Sequence, residues 1–256
     1  MGVIIALANQ KGGVGKTTTS VNLGACLAQL GQKILLIDID AQGNATSGLG
    51  IKKSEIKEDI YDDVLVNDVP ITDVIKPTAK KNLEIVPATI QLSGAEIELT
   101  SQMAREKRLA DAVLPIKDDY DFILIDCPPS LGLLTINAFT TCDSILMPVQ
   151  TEYYALEGLS QLMNTIKLVK KHFNPTLDIE GVLMTMYDAR TNLGNQVVLE
   201  VKNHFKDKVY QTIIPRNIRL SEAPSHGLAI IDYDPTSRGA KEYLALAKEV
   251  LKAHGK

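Results

Sequence analysis

The sequence predicts an α/β protein with a doubly wound, mostly parallel β-sheet flanked by helices, and three observations carry that prediction. Apolar runs of strand length alternate with amphipathic runs of helix length. The strand-like runs hold few polar residues, as expected when a parallel sheet is covered on both faces. A glycine-rich turn directly follows the first strand and opens a helix, at the C-terminal end of a strand, where ligands of such sheets sit.

The elements follow in order. Val3–Ala8 reads as the first strand, and Thr17–Leu30 as the helix after the glycine turn; Ile34–Ile39 is the second strand. Gly48–Thr78 is the least regular stretch, with Lys52, Lys53, Glu55, Lys57, Glu58 and Asp59 ahead of short apolar pieces, and reads as a surface excursion of short helices. Leu83–Val86, Phe122–Ile125, Ile145–Val149, Val182–Met186 and Val209–Ile214 continue the strands. Between and after them, Ala95–Ala112, Leu156–His172, Leu193–Phe205 and Arg238–Ala253 have helical periodicity. No repeat or Pro/Gly-rich linker divides the chain, so one domain spanning 1–256 is expected.

At 256 residues and 45% hydrophobic composition, the chain can bury one sizeable core. Cys26, Cys127 and Cys142 are scattered through apolar runs, which suits buried thiols in a reducing cytoplasm and not a disulfide framework. His172, His204, His226 and His254 lack metal-ligand spacing. The start MGVIIALANQ lacks a basic leader, Leu7 stands where a myristoylation signal has Ser or Thr, and no apolar run approaches spanning length. A soluble cytoplasmic protein without membrane attachment is therefore expected. Because the first strand begins almost at Met1, no DNA-binding module is expected ahead of it. Net charge is −4, but residues 160–256 carry 14 Lys and Arg against 10 Asp and Glu, so any anionic partner is better met by that C-terminal stretch.

The turn after the first strand reads Gln10-Lys11-Gly12-Gly13-Val14-Gly15-Lys16-Thr17-Thr18. Glycines let backbone N–H groups close around phosphates, and the helix N-terminus adds its positive dipole end. Lys16 offers a point charge to the β- and γ-phosphates, and Thr17 a hydroxyl to Mg²⁺. Gln10 occupies the position of the first glycine in G-x-x-x-x-G-K-[ST], so the match departs there from the common phosphate loop. Two lysines in one tight loop repel each other unless an anion sits between them.

Asp38 and Asp40 lie two apart at the end of the second strand, on the same side of an extended segment, so both can face a nucleotide. Phe122–Ile125 is closed by Asp126, followed by Cys127-Pro128-Pro129. An apolar strand ending in Asp is common by itself, and taken alone a structural cap explains it better. Behind a phosphate loop in this strand order it points to a carboxylate that holds Mg²⁺ directly or through water.

With these motifs read, the chain resembles the ParA partitioning ATPases, whose deviant Walker A motif is K-G-G-x-G-K-[ST]. The resemblance extends end to end, including Asn44–Gly48, Val86–Ala88, Glu152–Gly158, Asp188–Asn192 and Ile214–Ser225. It implies ATP and Mg²⁺ as ligands and Lys11, Gly12, Gly13, Val14, Gly15, Lys16, Thr17 and Thr18 as the phosphate site. Lys11 is implied to reach the nucleotide of a second subunit in a sandwich homodimer, and Asp40 to position or activate the attacking water. The family usually has proline where this chain has Ala41, which loosens the backbone beside Asp40 but keeps its carboxylate. Pro215 and Asn217 are implied beside the adenine. Arg190 and Arg219 are implied to contact double-stranded DNA nonspecifically, with nucleoid association in the ATP-bound state. A ParB-like centromere-binding protein is implied to stimulate slow intrinsic hydrolysis.

Three other readings share parts of the pattern. A MinD-like membrane-recruited ATPase ends in a detachable amphipathic helix; here Lys241–His254 offers mostly Ala and Leu with mixed charges and no Trp or Phe, which predicts docking on the core. A nucleotide-gated transcription or replication regulator would have the same loop with negligible turnover. A redox protein resembling the nitrogenase iron protein needs cluster ligands at a subunit junction, and Cys127 reads as a buried strand-end residue.

Overall fold

The computed structural model describes residues 1–60, 65–67, 69–152 and 155–256. Part of the Gly48–Thr78 excursion, and Tyr153 and Tyr154 of the Glu152–Gly158 segment, lie outside the described residues. Among those described, the strands are β1 (Val3–Leu7), β2 (Ile34–Asp38), β3 (Lys76–Pro77), β4 (Leu83–Val86), β5 (Phe122–Asp126), β6 (Ser144–Gln150), β7 (Asp178–Tyr187) and β8 (Val209–Pro215). They form one sheet in the order β3-β4-β2-β5-β1-β6-β7-β8. All pairs are parallel except β3 with β4. The mostly parallel, doubly wound sheet predicted from the sequence is therefore present. The edge strand β3, two residues long, was not predicted, because so short a piece has no detectable period.

The chain leaves β1 toward β2 on one side and later returns to place β6 on the other. The loop after β1 thus sits where the winding reverses, and the strands on either side deliver their C-terminal ends to it. Alternation along the strands sends side chains to two cores. Ile4, Ala6, Leu35, Ile37 and Ile123 pack under the helices Leu133–Thr141, Ala155–His172 and Asn192–Phe205. Ile5, Leu7, Leu36 and Leu124 pack under Lys16–Gln29 and Arg238–Ala253.

One helix expectation is corrected. Ala95–Ala112 is broken: Ala95–Leu99 is helical, Ala104 takes a left-handed φ of 52°, and a second helix runs Arg108–Val113. The break is held by tertiary partners. The Arg105 guanidinium donates to the Thr100 carbonyl at 2.7 Å, and Asn137 bridges the turn, donating Nδ2 to the Arg105 carbonyl and accepting from the Leu109 N–H. These bonds replace the helical ones that a straight run would make.

Candidate functional site

The helix Lys16–Gln29 begins behind Gly15, which adopts φ 89°, and no side chain caps it. Gly13 is also left-handed at φ 73°, and an added Cβ at Gly12 or Gly13 would meet nothing within 4 Å. The first turn therefore leaves its N–H groups turned toward open space under a positive dipole end, as an anion cradle requires. Val14, 1% exposed, points the other way into the core, and its carbonyl accepts from Thr185 Oγ1 at 2.8 Å. That bond fixes the loop to β7.

The loop's two lysines go in different directions. Lys16, 7% exposed, is drawn inward, where Nζ donates to the Lys11 carbonyl at 3.2 Å. Burial pushes its pKa down, opposed by the charges of Asp126, Cys127 and Asp40. Lys11 turns outward: Nζ lies 2.7 Å from Glu152 Oε2, and the other Glu152 oxygen accepts from Gln150. Asn9 braces this turn, accepting from the Lys11 N–H at 3.0 Å and donating to the Pro148 carbonyl at 2.7 Å.

Beneath the loop, Thr17 Oγ1 donates to Asp126 Oδ2 at 2.8 Å and Ser20 Oγ donates to Oδ1 at 2.7 Å. Asp126 is fully buried and paired in register with Asp38 across β5 and β2. Burial first, and the Asp38 charge second, push the Asp126 carboxyl upward. Burial likewise raises Asp38, against the bonds that it receives. Two buried carboxylates beside a buried lysine are an electrostatic setting that a cation with its anion would relieve.

Asp38 and Asp40, expected on the same side of the strand end, are placed differently, and of the two only Asp40 lines the cavity at the loop. Asp38 is buried and accepts from the Thr46 N–H at 2.9 Å, the Thr46 hydroxyl at 2.7 Å and the Asp40 N–H at 3.1 Å. The Thr46 hydroxyl also accepts from the Ala88 N–H, so Asp38 ties β2 to the helix Asn44–Gly48 and to the end of β4. Asp40, partly exposed, accepts from the Gln42 N–H at 2.9 Å and lines a cavity of about 490 Å³ with Gly12, Gly13, Gly15, Lys16, Thr17 and Thr18. Lys11 is not among that cavity's lining residues.

A second cavity of about 240 Å³ adjoins the first, sharing Gly15, Thr18 and Met186, and Pro215 and Asn217 line it. Pro215 ends β8, and Asn217 Oδ1 caps the helix Ile218–Glu222 by accepting from the Arg219 N–H at 2.9 Å. Arg190 and Arg219 lie outside both cavities. Each is exposed and paired: Arg190 forks onto Asp188, with bonds of 2.9 and 2.7 Å, and Arg219 donates to Glu222 at 2.8 Å. A further cavity of about 640 Å³, between Ala155–His172 and Asn192–Phe205, contains none of the predicted site residues.

Asn9, Ser20, Glu152, Thr185 and Met186 were missed from the sequence. Ser20 had a readable signal, one helical turn beyond Lys16 on the side facing Asp126. Asn9 is in the loop itself, and only its partner Pro148 is remote, whereas Glu152, Thr185 and Met186 are brought to the loop by strands that are distant in sequence.

A family model described as an AAA domain matches residues 2–179. The chain is 67% identical over 250 residues to the Sporulation initiation inhibitor protein Soj of Bacillus subtilis, covering 98% of both chains. It is 56% identical to the Chromosome partitioning protein ParA of Myxococcus xanthus, over 98% of this chain and 89% of that one. A Mycobacterium smegmatis structure named as a cobyrinic acid a,c-diamide synthase, with bound ATP analogue and magnesium, superposes with a TM-score of 0.87 at 34% identity, covering 100% of this chain and 97% of that one. With this degree of identity over nearly its whole length, the chain belongs to the ParA/Soj family of chromosome-partitioning ATPases.

Proposed function

We propose that ATP with Mg²⁺ occupies the joined cavities, that two protomers then close face to face with Lys11 of each reaching the phosphates held by the other, and that hydrolysis reopens the dimer. The observation that carries this reading is the divergence of the two lysines. Lys16 serves the cavity of its own protomer, whereas Lys11 is turned away from it and held by Glu152. A cation placed outside its own site, beside an otherwise complete phosphate cradle, suits delivery to a second copy.

The residues fit a hard cation. Thr17 and Asp126 present oxygen donors only, already adjacent, and they are the groups that would hold Mg²⁺. Mg²⁺ held by these groups would supply positive charge to the phosphates. Among the described residues no group of three or more His, Cys, Asp or Glu could hold a metal, and the phosphates supply the remaining ligands in sites of this kind. Gly12, Gly13, Val14, Gly15, Thr17 and Thr18 would hold the phosphates, Lys16 would bind and polarise them, and Asp40 would orient the attacking water. Pro215 and Asn217 would meet the adenine.

The dimer would bind double-stranded DNA without sequence preference through Arg190 and Arg219, which would exchange Asp188 and Glu222 for phosphates. A ParB-like partner would accelerate hydrolysis, and the protein would be cytoplasmic and associated with the nucleoid when bound to ATP. Docking of the C-terminal helix supports this over a membrane-recruited role. Its residues Ala240, Tyr243, Leu246, Ala247 and Val250 are buried, and Tyr243 OH lies 3.1 Å from Thr19 Oγ1. No helix among the described residues is long and apolar enough to cross a membrane.

Sedimentation with a nonspecific duplex, with no nucleotide, ADP or ATP, tests the proposal. Salt-sensitive binding should appear only with ATP. Lys16→Ala should weaken nucleotide binding by about 10- to 100-fold, the loss of one charge-assisted contact. Lys11→Ala should leave ADP binding to the monomer unchanged and abolish dimerisation. Normal ATP-dependent dimerisation of Lys11→Ala would remove the contribution in trans.

A further inference from the structure

The structure assigns Met186 a role that rests on the site proposed above: it is the residue that makes the site choose a nucleoside over bare polyphosphate, by forming the wall on which the ribose and purine ring pack. It stands at the joint between the two cavities and lines both.

The backbone shows that this placement is imposed. Met186 has φ 50°, in the left-handed region that a residue with a Cβ seldom adopts and that glycine occupies freely. It does so inside β7. Met184 pairs with Ile213 and Tyr187 with Pro215, so β7 carries one more residue than β8 across this interval. The extra residue makes a bulge, and a bulge re-aims side chains that regular alternation would send elsewhere. Strict alternation would send Thr185 and Met186 to opposite faces of the sheet. Instead Thr185 donates to the Val14 carbonyl of the phosphate loop at 2.8 Å, and Met186 also lines the cavities beside that loop.

The three residues at this joint divide the work. Thr185 holds the phosphate loop, Met186 lines the space, and the Tyr187 carbonyl accepts from the Arg216 N–H at 3.2 Å, which fixes the loop carrying Pro215 and Asn217. The neighbours of Met186 in the second cavity include Ile214, Pro215, Leu220 and Pro224, an apolar lining with the Asn217 amide beside it. That chemistry suits a flat, partly polar ring, and a thioether packs well against such a ring. The left-handed backbone at a cavity wall, where glycine would relax the strain, together with the bulge and the two cavities, motivates assigning this side chain a contact with the ligand.

The test is Met186→Gly in the full chain, with Met186→Asn as a second variant that tolerates the left-handed backbone but lacks the apolar side chain. Binding of ADP, ATP, GTP and inorganic tripolyphosphate would be measured by calorimetry, and the Tm of the ligand-free protein by scanning. Expected are an unchanged or raised Tm for Met186→Gly, ADP and ATP affinities lowered at least fivefold in both variants, a smaller ATP-to-GTP preference, and tripolyphosphate binding within twofold of the parent. A purely structural residue would lower Tm or leave every ligand unaffected, and either result overturns the inference. Equal weakening of tripolyphosphate and ATP also overturns it, because residue 186 would then be acting through the phosphate loop. If the parent chain bound no ATP, or if Lys16→Ala bound it normally, the proposed site itself would fail and Met186 with it.

Discussion

Lys11 Nζ and Glu152 Oε2 meet at 2.7 Å, so the first lysine of the glycine-rich loop is held by a carboxylate of its own chain. Both side chains are more than a third exposed, at 38% and 47%, and such a pair contributes about 0–1 kcal/mol. The contact can therefore be exchanged readily for a phosphate.

Glu152→Gln should release Lys11 and tighten the dimer formed with a nonhydrolysable ATP analogue by about two- to fivefold, the equivalent of up to about 1 kcal/mol. Analytical ultracentrifugation reads this directly. A weaker dimer would show that Glu152 keeps its hold on Lys11 after closure.

Asp40 lines the cavity at the glycine-rich loop, whereas Asp38 is committed to Thr46. Asp40→Ala should retain ATP binding, accumulate the dimer and lower turnover by about 10²- to 10⁴-fold, the usual contribution of a positioned general base. Asp38→Ala should instead lower Tm, because buried donors on Thr46 lose their acceptor. Normal hydrolysis by Asp40→Ala in a phosphate-release assay would end its catalytic assignment.

His254 fastens the C-terminal helix to the sheet, with Nε2 3.0 Å from Glu180 Oε1. The bond to Glu180 raises the His254 pKa above its ordinary 6.5. Burial raises Glu180, but its bonds to His254 and Ser144 outweigh that and hold it below its ordinary 4.5. A raised histidine contributes fully below its unfolded value and loses the contribution as pH rises through its folded value. A lowered carboxylate contributes above its unfolded value and loses this as pH falls through its folded value. The Tm difference between the parent and His254→Gln should therefore be largest between about pH 4.5 and 6.5, about 1–3 °C, and shrink toward pH 8. A difference that grew with pH would contradict the pairing.

Asp188 accepts two bonds from the Arg190 guanidinium and one from its N–H, and these hold its carboxyl down at about 2. It thus stays charged and keeps Arg190 occupied at any working pH. Asp188→Asn should tighten ATP-dependent DNA binding, and Arg190→Ala or Arg219→Ala should weaken it and lower the salt slope by about one per arginine in each protomer. Filter binding at several salt concentrations measures both. An unchanged slope would remove that arginine from the interface.

The sequence alone was enough for a doubly wound sheet, the positions of its longer strands along the chain and the glycine-rich turn after the first strand. These rest on local features: apolar runs, glycines at left-handed positions, and carboxylates closing strands. Asp126 and Asp38 were legible as strand-end acids, but only pairing of β5 with β2 set them side by side and buried them. Tertiary structure also decided which acid faces the cavity, because Asp38 is claimed by Thr46, eight residues on. Glu152, Thr185 and Met186 reach the loop on β6 and β7 or just beyond them, more than 100 residues along the chain from Lys11. The broken helix at Ala104 depends on Asn137, which the helical period of 95–112 cannot register. Local propensity and period are properties of neighbouring residues, whereas partners supplied by strand crossovers exist only once the sheet has assembled.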